Sequence, residues 1–128
     1  MALKILDVGQ CGFDGPRMAA LWRDKLDATV DRVANGKDAA QRLKEGGYDV
    51  VMVNRVLAAD GSSGLDVIED LLSAKTSVPV MLVSDLADAQ DAAVALGAVR
   101  GFGKAELGEP ATLELVASVA GGKNGGER

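Results

Sequence analysis

The sequence predicts an α/β fold, a parallel sheet with helices on both faces. Two observations predict it. Five strand-like and five helix-like segments alternate strictly along the 128 residues. The runs Val50-Val51-Met52-Val53 and Val80-Met81-Leu82-Val83 are continuously apolar. A strand with one face in water would alternate apolar with polar, so these two expect cover on both faces. Such alternation puts helices on either side of the sheet, and right-handed crossovers make it doubly wound. The length is that of one domain with one real core. That domain is expected over 1–120, with a disordered glycine-rich tail over 121–128.

The elements follow in order. Residues 4–8 read as a short strand. Asp14-Gly15-Pro16 opens a helix, with Asp14 as N-cap and Pro16 in the first turn, where its missing N–H costs nothing. Met18, Leu21, Trp22 and Leu26 recur at helical spacing on the inner face. Residues 28–34 form a second strand, Asn35-Gly36 turns the chain, and 38–45 is a short helix with Ala39, Ala40 and Leu43 inward. Gly46-Gly47 breaks it before a third strand that runs from Tyr48 into Asn54. A loop over 55–63 turns at Asp60-Gly61, and Ser63 caps a helix striped by Leu65, Ile68, Leu71 and Leu72. The fourth strand, 78–83, carries Pro79 near its start. An alanine-rich helix over 87–96 stops at Gly97. A short strand, 99–102, and a last helix, 109–120, complete the pattern.

Composition narrows the function. The hydrophobic fraction is 48% and the charged fraction 26%, ordinary values for a soluble domain. Aromatics are only 3%, so Ala, Val and Leu fill the core. A net charge of −5 argues against nucleic acid as a partner, since phosphate-backbone binders need a basic surface. No stretch approaches the ~18 apolar residues of a membrane span. Neither a signal-peptide layout nor a pair of cysteines is present, and the cytoplasm is the expected location. With no histidine, His-based catalysis, His metal sites and an internal phosphohistidine donor are all excluded.

Four segments taken together resemble the receiver domain of bacterial response regulators, over nearly the whole chain. They are Val33-Ala34-Asn35-Gly36-Lys37-Asp38-Ala39, Gly46-Gly47-Tyr48-Asp49-Val50-Val51-Met52-Val53, Pro79-Val80-Met81-Leu82-Val83-Ser84, and Leu96-Gly97-Ala98 followed by Lys104. The resemblance implies a flavodoxin-like strand order, 2-1-3-4-5, with the working site above the carboxyl ends of strands one and three. In that family the third strand ends in an aspartate that takes phosphate from a histidine kinase. Two acidic residues after the first strand help to hold Mg²⁺.

This chain departs from the pattern at those positions. The acceptor position holds Asn54, and an amide has no anionic oxygen to attack phosphorus. The acidic pair is replaced by Gly9 and Gln10, and Mg²⁺ favours carboxylates. Ala105 stands where proline usually follows the lysine. Gly101 replaces the aromatic of strand five, with Phe102 one place later. The loop after strand three is about two residues longer than the family's. Ser84 and Lys104 alone remain of the functional set, with Lys104 expected to point toward Asn54. The resemblance thus implies a pseudo-receiver without cofactor, metal or enzymatic activity. It would act as a phosphorylation-independent module that meets a protein partner, another copy of itself included. The expected face is helix four, strand five and helix five, with Arg100, Phe102, Glu106 and Leu107 in or beside it.

Two other readings stay open. A pocket of Gln10, Asn54, Ser84 and Lys104 would receive an anion or small metabolite. An atypical receiver would take phosphate on Asp60 or Asp85. Among the remaining residues, Asp7 lies inside a central strand, where a lone carboxylate is costly unless it meets water or a lysine. The sharper alternative makes it a metal ligand with Asp14 or Asp85. Asp85 is expected to cap the following helix, Trp22 to pack, and Cys11 to be an inert thiol. Gly9, Gly12 and Gly15 do not fit a phosphate-binding loop.

Overall fold

The computed structural model describes residues 3–121. Its elements are β1 (Lys4–Val8), α1 (Asp14–Leu26), β2 (Thr29–Val33), α2 (Gly36–Glu45), β3 (Val50–Asn54), α3 (Gly64–Ser73), β4 (Val80–Val83), α4 (Ala87–Leu96), β5 (Val99–Phe102), a 3₁₀ turn (Lys104–Glu106) and α5 (Pro110–Gly121). The five strands form one sheet in the order β2-β1-β3-β4-β5, all parallel. This is the order the resemblance implied. Gly121 closes α5, and the rest of the expected tail lies outside the described residues. Among the described residues no helix is long and apolar enough to cross a membrane.

Strand periodicity sorts the core into two layers, since successive side chains point to opposite faces. Leu6, Val8, Val51, Val53 and Leu82 pack with Ala39 of α2, Val67, Ile68 and Leu71 of α3, and Ala93 of α4. Ile5, Val50, Met52, Met81 and Phe102 pack with Met18 and Trp22 of α1 and Val116 and Ala120 of α5. Trp22 meets Phe102 edge to face at 5.6 Å, so the expectation that Trp22 packs is met.

Three caps differ from the sequence reading. Asp14 is the first residue of α1 rather than its cap, because Phe13 takes the cap position without a side-chain bond. Asp85 does not cap α4; Leu86 does, again without a side-chain bond. Asn35, read only as a turn, is the N-cap of α2 and accepts a bond from the Asp38 N–H at 2.8 Å. Ser63 caps α3 as expected, accepting from Leu65 N–H.

The β4–β5 pairing contains an irregularity that decides the shape of one face. Met81 opposes Val99, but Val83 opposes Phe102, so β5 carries one extra residue. A bulge of this kind leaves a ladder N–H without its usual acceptor. Gln90 of α4 fills the gap. Its Oε1 accepts from Gly101 N–H at 2.9 Å, and its Nε2 donates to the carbonyls of Leu82 at 3.0 Å and Ser84 at 3.1 Å. A third carbonyl, that of Phe102, lies at 3.4 Å. Any Cβ on Gly101 would run into the Leu82 carbonyl, which is why glycine stands where the family carries an aromatic. Gln90→Leu keeps the volume but orphans Gly101 N–H. We expect it to cost about 2–3 kcal/mol in urea unfolding, with faster amide exchange at Gly101; an unchanged midpoint would contradict this role.

Asp7 shares the α1/α5 face with Ile5, in register with Arg32 of β2 and Met52 of β3. It is 1% exposed, and neither carboxylate oxygen has a hydrogen-bond partner. The expectation that it meets water or a lysine at the strand end is therefore corrected. Burial pushes its carboxyl from the usual 3.8 up to about 7, opposed by the nearby Gln10 amide and by the fields of Arg32 and Lys104. The folded state holds this proton more tightly than the unfolded chain. Asp7 therefore favours folding fully below about pH 4, and that contribution is lost as pH rises through about 7. The gap amounts to at most about 4 kcal/mol. Asp7→Asn is expected to match wild type in chemical denaturation at pH 4 and to exceed its stability at pH 8. Equal stabilities at pH 8 would contradict the burial argument.

Candidate functional site

The carboxyl ends of β1, β3, β4 and β5 meet where the family resemblance placed the site. Asn54 ends β3. Its Nδ2 donates to Gly9 O at 3.0 Å and to Val56 O at 2.8 Å. Both partners are carbonyls, so the amide orientation is fixed by chemistry, since only the NH₂ end can face two acceptors. The side chain ties the end of β1 to the start of the following loop. The same Gly9 carbonyl also accepts from Ala58 N–H at 2.9 Å.

The longer loop after β3 is folded back on itself. Val56 pairs with Ser63 in an isolated antiparallel bridge. Asp60 accepts from the hydroxyl and N–H of Ser62 at 2.7 and 2.9 Å, and these two bonds hold its carboxyl below the usual range. This arrangement buries Leu57 in the core. A Cβ on Gly9 would strike the Leu57 side chain, and Gly9 has φ +81°, a backbone region favouring glycine. Leu57 was missed in the sequence because nothing in an exposed-looking loop marks one apolar residue as a plug.

Lys104 does not reach for Asn54. Its Nζ lies 2.8 Å from Asp14 Oδ2, while Arg17 holds Asp14 Oδ1 at 3.1 Å. The Lys104 bond first, and then the Arg17 bond, hold the Asp14 carboxyl below its ordinary range. The expectation for Lys104 was wrong for a simple reason: a neutral amide cannot compete with a carboxylate for an ammonium. The sequence did offer the signal, since Asp14 sits at the start of the helix that follows β1, beside the same sheet end.

Ser84 Oγ accepts from Leu86 N–H at 3.1 Å, and Asp85 Oδ1 accepts from Ala105 N–H at 3.1 Å. Gly103 leaves room for that carboxylate, as a Cβ there would clash with it. Gln10 is turned toward Asp7, and both ends of its amide are buried without a hydrogen bond. Cys11 Sγ accepts from Asp14 N–H at 3.3 Å. A cavity of about 410 Å³ lies between Asn54, Arg55, Ser84, Asp85, Leu86 and Lys104.

A Mg²⁺ ion, which the receiver fold implies, does not fit these residues. Gly9 offers no side chain, Gln10 faces the buried Asp7, and Asn54 brings a neutral amide, bonded to two main-chain carbonyls, where the family brings a carboxylate. Among the described residues no three His, Cys, Asp or Glu side chains gather as a metal site. Asp14 and Asp85, considered as ligands with Asp7, are engaged by Lys104 and by Ala105 N–H respectively.

The residues expected on the α4–β5–α5 face are not all on it. Arg100 is exposed and pairs with Asp91 of α4 at 2.8 Å. Phe102 is buried against Trp22 because the bulge turns it inward. Glu106 is exposed but accepts from Gly103 N–H at 3.2 Å. Leu107 packs on the α1/α5 core and borders a second groove of about 400 Å³ with Arg17 and Leu21.

No protein-family model and no curated protein matches the sequence. Solved structures do. A Chloroflexus aurantiacus protein of the response-regulator type has a TM-score of 0.77 at 16% identity, over 94% of this chain and 99% of that one. The complex of a Saccharomyces cerevisiae histidine phosphotransfer signalling protein with the receiver domain of its downstream response regulator gives a TM-score of 0.77 at 15% identity, over 95% and 91%. A Burkholderia pseudomallei response regulator, solved with a phosphorylated aspartic acid, calcium ion and citrate, gives 0.69 at 18% identity. That match covers 92% of this chain but only 66% of the Burkholderia chain, just under two thirds. The fold is that of response-regulator receiver domains.

The Asn54 geometry has a direct consequence. Asn54→Ala removes two hydrogen bonds, whereas Asn54→Asp sets a carboxylate against two carbonyl oxygens. At pH 7 the aspartate variant is expected to be the less stable of the two, by about 1–2 kcal/mol in urea titrations. An aspartate variant as stable as wild type would contradict the assigned hydrogen bonds.

Proposed function

We propose that this chain is a phosphorylation-independent interaction module built on the receiver fold, a pseudo-receiver acting in two-component signalling in the cytoplasm. The observation that carries this reading is the Asn54 amide bonded to Gly9 O and Val56 O. The group at the acceptor position is neutral, its donors are taken up by main-chain carbonyls, and the ammonium of Lys104 is held by Asp14. Phosphoryl transfer to a side chain needs an anionic oxygen, a cation and in-line access together. On this reading the chain is not an enzyme.

The partner is a protein. Leu86, Val94 and Leu96, at the start and along the outside of α4, are 52%, 42% and 37% exposed. A helix that is apolar all round is normally covered, and α4 (ADAQDAAVAL) carries only two charged residues, Asp88 and Asp91. These side chains are the interaction surface on this reading, in place of Phe102. A second copy of the chain and an unrelated protein are both compatible with it.

The anion-sensor reading draws on Arg55, an exposed cation on the rim of the cavity. It is the weaker reading, because Lys104 is already neutralised. The atypical-acceptor reading is weaker still, as Asp60 and Asp85 are engaged in loop hydrogen bonds.

Intact-mass measurement after incubation with acetyl phosphate and Mg²⁺ tests the proposal. No phosphoryl adduct is expected on wild type or on Asn54→Asp. An adduct on wild type that is lost on replacing Asp60 or Asp85 would overturn phosphorylation independence. Calorimetry with inorganic phosphate is expected to show no binding. Binding lost in Arg55→Ala would favour the sensor.

A further inference from the structure

Among the described residues the large apolar side chains left exposed are Phe13, Val56, Leu86, Val94 and Leu96, and the last three belong to α4 and its cap. A single exposed apolar residue is ordinary, but several on one element mark a contact surface. What such a surface meets is decided by the charges around it, since like charges brought together exclude a partner and opposite ones select it.

The helices of the second half carry charge of one sign. α4 has Asp88 and Asp91 and no base. α3, packed beside it, has Asp66, Glu69 and Asp70 and no base, with Lys75 only in the turn past its end. α5, on the other face of β5, has Glu114 and no base. All of these carboxylates are exposed, and among the described residues only Asp91 is in an ion pair, with Arg100 of β5. The cation beside α4 is thereby neutralised. The first two helices differ: α1 carries Arg17, Arg23 and Lys25, and α2 carries Lys37, Arg42 and Lys44.

We propose, resting on the reading of α4 as the interaction surface, that its occupant is a basic amphipathic helix from a different protein, with apolar side chains on α4 and its lysines or arginines over the carboxylates of α3 and α4. A second copy of the chain does not fit. A two-fold contact sets the same patch on both partners face to face, and here that brings carboxylates against carboxylates. An added strand does not fit either. β5 is the edge of the sheet, but its register is broken by the extra residue, and Gly101 N–H is taken by Gln90 Oε1 at 2.9 Å. An edge disturbed in this way is a poor template for strand pairing, which leaves a helix docked through its side chains.

Two synthetic amphipathic helical peptides, one of leucine and lysine and one of leucine and glutamate, test this against the ¹⁵N-labelled full chain. The Leu/Lys peptide is expected to shift the amides of α4 and β5 at low salt and to lose most of its affinity at high salt. The Leu/Glu peptide is expected to shift neither. Val94→Ser is expected to weaken the Leu/Lys peptide about fivefold or more, and Asp88→Lys about two- to fivefold. Both positions are exposed, so the spectra of the free variants are expected to stay those of the folded chain. Sedimentation of the wild-type chain alone is expected to show a monomer. A dimer whose contact maps to α4 would overturn the basic partner and leave α4 standing as the interaction surface. So would equal responses of α4 to the two peptides, or a Leu/Lys response indifferent to Asp88→Lys. No response of α4 to either peptide, together with a monomer, would overturn both the basic partner and the α4 surface.

Discussion

Two main-chain carbonyls, from Gly9 and Val56, converge at the carboxyl end of the sheet, and one side chain ties them together. Asn54 does so with the two hydrogens of a single amide nitrogen. A carboxylate in that place would face two oxygens of its own sign and would need a cation between them. The surroundings are consistent with an amide. Gly9 carries no side chain, its backbone has a positive φ, and the space beside it is filled by Leu57. Leu57 in turn reaches that space because the loop after β3 closes through the Val56–Ser63 bridge. Glycine, asparagine and leucine each make sense given the other two.

The electrostatics follow from the same substitution. With no anion at position 54, Lys104 takes the nearest one, Asp14, and the pair joins the turn after β5 to the first turn of α1. On the opposite side of β4, Gln90 patches the bulge in β5 and binds α4 to the sheet. The proposed module draws on these two ties, which join the turn after β5 to α1 and α4 to the sheet.

The fold was legible in the sequence because it rests on signals that survive averaging. Continuous apolar runs, Gly46-Gly47, the Ser63 cap and the position of Pro79 each point to the same element order. Its strand order required the family resemblance, since periodicity does not distinguish one doubly wound sheet from another. The site was legible only in what it lacks. Gly9, Gln10 and Asn54 announced missing carboxylates, but where Lys104 would turn depended on Asp14, 90 residues from the lysine along the chain and close to it only in space. Gln90 and Leu57 were invisible for a similar reason. One is a polar residue in an alanine-rich helix and the other an apolar residue in a loop, and each owes its role to a backbone irregularity no pattern reveals. Phe102 was misplaced by the same bulge, which sets it opposite Val83 in the α1/α5 core.

The account stands or falls on the Asn54 amide being held. The side-chain NH₂ signals of Asn54 report this directly in ¹H–¹⁵N spectra, recorded with and without Mg²⁺ and beryllium trifluoride, a mimic of a bound phosphoryl group. The account predicts two protected, well-dispersed NH₂ protons whose positions do not change when the reagents are added, with α4 and β5 equally unmoved. Rapid exchange of the Asn54 amide, or shifts spreading from it into α4 and β5 on addition of the reagents, would contradict it.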